Sequence, residues 1–200
     1  MSSPLRVDVF AEDAAHEALL SALTRRIARE EGISTALRVR IATGGVGRVL
    51  QELKAYTEVV RRGGVAMPDV LVTAIDSNCK KFAGKARQVR EHVPDELWDR
   101  TVLACPEPHV EKWYLSDPDA LVDVFGVRPT VPRTKCERGR YKAALVRAVR
   151  DGGGVPTLGG IEFANEIAES IDLYRAGQSD RSLQQFVTGF RKALRLASSQ

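Results

Sequence analysis

Carboxylates stand where successive β-strands are expected to end. Glu12 lies two residues beyond the alternating run Leu5–Phe10, and Asp76 is the first polar residue after the apolar run Val70–Ile75. Glu107 and Glu111 follow Thr101–Cys105. Acids gathered at one edge of a sheet repel one another unless a cation neutralises them, and hard oxygen donors of this kind suit Mg2+ or Mn2+. Such a centre would polarise a bound phosphate and lower the pKa of an attacking water. The competing reading is local: Asp76 can cap the helix expected from Cys79, and Glu12 can favour the N-terminus of the helix that begins at Asp13. One acid alone fits that structural role, whereas acids at three strand exits favour a site.

Charge is the second feature. The chain carries +4 at pH 7, with 17 basic against 19 acidic residues over 1–127 and 13 against 7 over 128–200. Between Arg128 and Arg150, eight basic residues (Arg128, Arg133, Lys135, Arg138, Arg140, Lys142, Arg147, Arg150) accompany the single acid Glu137. A strip like this either binds phosphates or forms a solvated helix face. His16 and His109 lie beside acids in the sequence and are candidates for metal ligation or proton transfer, with surface histidine as the plainer alternative. Gly44–Gly47 opens a helix and could receive a phosphate on its amides. It lacks the Lys-Ser/Thr of a P-loop and full GxGxxG spacing, so a tight turn is the expectation.

Other classes drop out. Aromatic residues make up only 6%, which argues against a base-stacking surface for single strands. Trp113, Tyr114 and Leu115 therefore read as helix packing, and Trp98 as core. No run approaches the ~18 apolar residues of a membrane span, and Met1–Arg6 has no apolar stretch of a secretory signal behind it. Cys79, Cys105 and Cys136 are widely spaced with no CxxC, which excludes a zinc ribbon; they are read as reduced, mostly buried thiols of a cytoplasmic protein.

The elements that must position these groups alternate. Strands are expected at Leu5–Phe10, Leu37–Ala42, Val70–Ile75 and Thr101–Cys105, with helices over Asp13–Glu31, Arg48–Arg62 and Cys79–His92 between them. The pattern predicts an α/β fold: a Rossmann-like, mainly parallel four-stranded sheet whose functional residues collect at the carboxyl ends of the strands. The sheet should end near residue 106, followed by helices over 107–115, 118–125, 137–150, 160–174 and 180–197. This divides the chain into an α/β domain, 1–127, and a basic, mostly helical extension, 128–200, packed on it. In that extension Ile161, Ala164, Ile167, Ala168 and Ile171, then Leu183, Phe186, Val187, Phe190 and Leu194, recur at helical spacing. Such a stripe is either core or a docking face for another chain.

These residues carry a resemblance. Ala11-Glu12-Asp13-Ala14-Ala15-His16 directly after a strand is similar to the opening motif of TOPRIM domains, in which a strand delivers a Glu followed by Gly-x-x-Asp and a helix. Ile75-Asp76-Ser77-Asn78 occupies the place of that family's Asp-x-Asp. The segment from Cys105 to Asp117 resembles a Pro-x-x-x-x-Glu-x-Trp-x-x-x-Asp stretch of small TOPRIM-like proteins, some found beside an ATPase in bacterial defence gene pairs related to OLD-family nucleases. The resemblance covers residues 5 to about 120 and implies a TOPRIM-like fold. It implies Glu12 as metal ligand or general acid/base, Asp76 as metal ligand, and Asn78 in the second acid's place. Glu111 or Asp117 would supply the charge that neutral Asn78 does not. The departures are Asp13 for the usual Gly, His16 where an Asp is common, and Asn78.

The resulting expectation is a nuclease dependent on Mg2+ or Mn2+, cutting DNA or RNA. Glu12, Asp76 and Glu111 would be catalytic, with Glu12, Asp76, Asn78, Glu111 and Asp117 around the metal. Lys112, Arg133, Lys135, Arg138, Arg140 and Lys142 would hold nucleic-acid phosphates. It could serve as the effector of an ATPase-coupled phage-defence system and form a homo-oligomer. The alternative is a non-catalytic binding partner of an ATPase with a degenerate metal site. A nucleotide-binding α/β enzyme using the Gly44–Gly47 turn is a third possibility.

Overall fold

The computed structural model describes residues 3–132, 136–137 and 139–199. Four strands, β1 (Leu5–Ala11), β2 (Thr35–Ile41), β3 (Val70–Ala74) and β4 (Thr101–Ala104), form one all-parallel sheet in the order β2-β1-β3-β4. The fold class is therefore α/β and Rossmann-like, as the alternation predicts. The chain steps from β1 to one side, then returns to lay β3 on the other side of β1. The crossovers reverse direction between β1 and β3, the position at which open α/β sheets form a crevice. Register fixes where it opens: Ala11 pairs with both Ile41 and Ala74, and Ala74 pairs with Ala104. The residues leaving all four strands thus share one edge.

Alternation along the strands builds two cores. Val7, Val9, Val70 and Val72 belong to the core shared with α1 (Ala14–Glu30) and the C-terminal helices, whereas Phe10, Leu71 and Ile75 belong to the core shared with α2 (Val46–Arg61), α3 (Phe82–Arg90) and α4 (Asp95–Trp98). Beyond the sheet come α5 (Glu111–Tyr114), α6 (Pro118–Phe125), α7 (Arg140–Asp151), a 3-10 turn (Ile161–Phe163), α8 (Ala164–Ser170), α9 (Leu173–Ser179) and α10 (Arg181–Ser198). The α10 stripe is core: Leu183, Phe186, Phe190 and Leu194 are fully buried, and the helix packs on β4 and α1. Each such side chain contributes about 1.5–3 kcal/mol relative to exposure. No helix among the described residues is long and apolar enough to cross a membrane.

Three expectations are corrected. The helix from Cys79 begins only at Phe82, because Asn78 and Cys79 take positive φ angles of 48° and 63°, a left-handed turn incompatible with helix. The 160–174 helix is broken at Ile171, where the backbone extends and Asp172 caps α9 by accepting from the amides of Tyr174 and Arg175. The three cysteines are not all free: Cys79 and Cys136 form a disulfide across 57 residues, and only Cys105 remains a buried thiol.

Candidate metal centre

The end of β1 delivers Glu12 and the end of β3 delivers Asp76, which meet because their strands are neighbours in register. Glu12 Oε2 accepts the backbone N–H of Asp76 at 2.9 Å. Gly45, which precedes α2 at φ 79°, lies against the same carboxylate: a Cβ there would sit 3.9 Å from Glu12 Oε1. The Gly44–Gly47 segment is a tight turn, as expected, with its second glycine beside Glu12.

The third group is His16, in the first turn of α1 and fully buried. Asp13 caps that helix by accepting the His16 backbone N–H at 3.0 Å, and the same Oδ1 holds the ring Nδ1 at 2.9 Å. The opposite nitrogen, Nε2, points at Asp76 Oδ1 from 3.2 Å but off the line of a hydrogen bond, and has no hydrogen-bond partner. Glu12, His16 and Asp76 each offer a ligand atom, all within 4.8 Å of one another. A carboxylate behind a histidine whose far nitrogen faces two further carboxylates is how metal-ligating imidazoles are oriented.

Asp76 is gripped elsewhere too. Its Oδ1 accepts the Val110 amide at 2.9 Å and its Oδ2 meets His109 Nδ1 at 2.9 Å. Burial pushes its carboxyl up, but the bond from His109 and the electrostatic attraction of His16 overcome this and hold it below the usual range. Burial likewise opposes ionisation of Asp13, yet contact with His16 brings it down to about 2. His16 responds in the opposite sense: burial disfavours its charge, while Asp13 and Asp76 raise it to about 10. Glu12 is raised, chiefly by burial, with the Asp76 amide acting against the shift. Without a metal, an imidazolium therefore neutralises this acid cluster.

The cluster opens into a cleft of about 590 Å3. Glu12, Asp76, Asn78, Glu111 and Lys142 line it, as the sequence expects, together with Asp13, His109, Tyr141 and the Cys79–Cys136 pair. Lys142 also lines an adjoining cleft of about 560 Å3 along α7, with Arg147 and Arg150.

Other expected site residues lie elsewhere. Asp117 is buried with its carboxylate on Arg175 (2.8 and 2.7 Å) and on the Asp172 amide (2.8 Å), where it fastens α6 to α9. Lys112 turns away to Asp180 at 2.8 Å. Arg140 pairs with Glu137 at the start of α7. Glu107 points into a different pocket. Arg133, Lys135 and Arg138 lie outside the described residues. Trp113 is helix packing, fully buried with its Nε1 on Ser182 Oγ at 2.8 Å. The residue that sequence reasoning undervalued is Asp13. Its signal is the Asp-x-x-His spacing at a helix start, which sets the cap and the third side chain after it on one face. Comparison with known protein families, with curated proteins and with solved structures found no match for this chain.

Proposed function

We propose that this chain is a divalent-metal-dependent nuclease of TOPRIM type that hydrolyses phosphodiester bonds in DNA or RNA, serving as the effector of an ATPase-coupled phage-defence system. The observation that carries the reading is the convergence of Glu12, His16 and Asp76 where the sheet's crossovers reverse, at the floor of an open cleft. Asp13 orients His16, and His109 with the Val110 amide orients Asp76. An imidazole among carboxylates favours Mn2+ over Mg2+, because nitrogen donors suit transition ions. A metal held there supplies Lewis-acid polarisation of a phosphoryl oxygen and activates water. Lys142, at the junction of the two clefts, holds the scissile strand while Arg147 and Arg150 take flanking phosphates, so affinity falls with salt and depends little on sequence. Glu111, on the cleft wall, is placed to receive a proton from the attacking water.

The test is cleavage of supercoiled plasmid, linear DNA and structured RNA with Mn2+, Mg2+ or EDTA. Cutting should require metal and fall by about 100-fold or more in Glu12→Gln and Asp76→Asn, since metal stabilisation is worth several kcal/mol. Undiminished cutting by the double variant overturns the reading.

A second reading rests on His16. Charged and pinned between Asp13 and Asp76, its imidazolium supplies the neutralisation a metal would provide. The cleft then serves as a metal-free binding surface for a partner ATPase. No binding of Mn2+ in calorimetry would favour this alternative.

A further inference from the structure

Asp76 and Ser77 are consecutive, yet they serve two different pockets: Asp76 lines the acid cleft, and Ser77 lines a smaller one of about 230 Å3 with Lys81, Phe82, Cys105, Glu107 and Arg181. Both open at the carboxyl edge of the sheet, the second beyond β3 and β4. Four independent features of the smaller pocket point to an anion.

Ser77 is 2% exposed, and its hydroxyl is buried without a hydrogen-bond partner. A buried hydroxyl left unpaired costs about 1–3 kcal/mol, which a ligand acceptor would recover. The nine-residue α3 starts at this pocket, and Lys81 at its N-cap makes no side-chain cap, leaving the first amides available. Lys81 and Arg181 on the walls carry no ion pair among the described residues. Behind them Lys85 is 4% exposed, has no carboxylate partner among the described residues, and places its charge near the Cys105 thiol. Against these stands one acid, Glu107.

We infer that this pocket is a binding site for a protonated phosphate group, either hydrogen phosphate or a small phosphomonoester. It is smaller than the roughly 300–1,000 Å3 of pockets for drug-sized ligands, so its occupant is a phosphate with little attached. Lys81, Arg181, the α3 amides and Ser77 bind the oxygens. Glu107 accepts a hydrogen bond from the P–OH of hydrogen phosphate, which keeps its proton; sulfate, fully ionised, has no hydrogen to donate and is repelled. The inference does not depend on the nuclease reading, because none of these side chains reaches the acid cluster.

The experiment titrates inorganic phosphate against sulfate at constant ionic strength and pH 7, read by calorimetry on the full chain. Saturable phosphate binding is expected, with sulfate at least about tenfold weaker, the equivalent of one lost charge-assisted hydrogen bond. The Lys81→Gln, Arg181→Gln double variant should weaken phosphate at least about tenfold by the same measure, and Glu107→Gln should close the gap between the two anions. Ser77→Ala should lose phosphate affinity while unfolding no more readily than the parent, since it removes an unsatisfied group. Arg61→Gln, Arg62→Gln, at the exposed end of α2, is the control and should bind phosphate unchanged. Phosphate binding no tighter than sulfate, or unaltered in the Lys81, Arg181 double variant, overturns the site. Displacement of bound phosphate by a 5′-phosphorylated dinucleotide but not its 5′-hydroxyl form identifies a strand end as the source, and failure of both identifies a free small phosphate.

Discussion

Tyr114 donates its hydroxyl to the backbone carbonyl of Ala15 at 2.8 Å, joining α5 to the first turn of α1 across 99 residues. The bond is buried, and its two ends are neighbours of the groups that matter: His16 follows Ala15, and Glu111 lies one turn before Tyr114. Replacing Tyr114 by Phe deletes a buried hydrogen bond, leaving the Ala15 carbonyl its helix partner alone, and should cost about 0.5–1.5 kcal/mol. Urea denaturation of Tyr114→Phe measures it, and a midpoint unchanged from the parent would show that the bond carries nothing.

Asp13→Asn separates orientation from capping. Asparagine caps a helix as well as aspartate does, so α1 should form normally. The neutral amide holds the His16 ring less firmly, and loss of such a partner typically weakens metal affinity about 10–100-fold. Calorimetry with Mn2+ should find that drop with the circular dichroism spectrum unchanged, and His16→Ala should lower affinity further.

The Asp117 carboxyl is buried, which opposes its ionisation, but Arg175 and the Asp172 amide hold it below the ordinary range. A depressed acid stabilises the fold above its unfolded pKa, about 3.9, and loses that contribution as pH falls through the lower folded value. Arg175 is half-exposed, so water screens part of the attraction. Asp117→Asn should therefore lose about 1–2 kcal/mol at pH 7 by weakening two charged hydrogen bonds, with the difference from the parent shrinking below pH 4. Thermal unfolding of both proteins between pH 7 and 3 checks the slope.

The Cys79–Cys136 bond closes a loop of 57 residues, worth up to about 4 kcal/mol in the chain-entropy account. Reduction, or Cys79→Ser, should lower the unfolding midpoint by a corresponding amount. Thiol titration of the unfolded, unreduced chain should find one free cysteine, Cys105. Three free thiols would contradict the pairing.

Much of this was legible in the residues because it is local. The almost unbroken apolar run Val70–Ile75, interrupted only by Thr73, reads as a strand covered on both faces and places Asp76 at an edge. Strand alternation then put Glu12 beside it. What the sequence hid depends on distant partners. Asp117 looked like a ligand because Arg175, 58 residues away, is invisible in a local pattern. Lys112 looked like a phosphate contact until α10 brought Asp180 to it. The pattern predicts a helix from Cys79 because nothing in Asn78-Cys79 announces two left-handed residues in succession. His16 was visible as a departure from the family motif, but only the fold shows that it is enclosed.

The placement of α10 has a consequence for the order of assembly. Residues 181–198 cover the face of the sheet formed by β1, β3 and β4, where Phe186 stacks on Trp113 and Phe190 on Phe186. On a ribosome, the four strands and their acids emerge well before the helix that seals them. The nascent chain therefore holds an uncovered apolar sheet face throughout synthesis of the segment between β4 and α10, the interval in which such surfaces are prone to aggregate and to engage chaperones. The small pocket beside β3 and β4, walled in part by Arg181 and Gln185, is complete only once that late helix has docked.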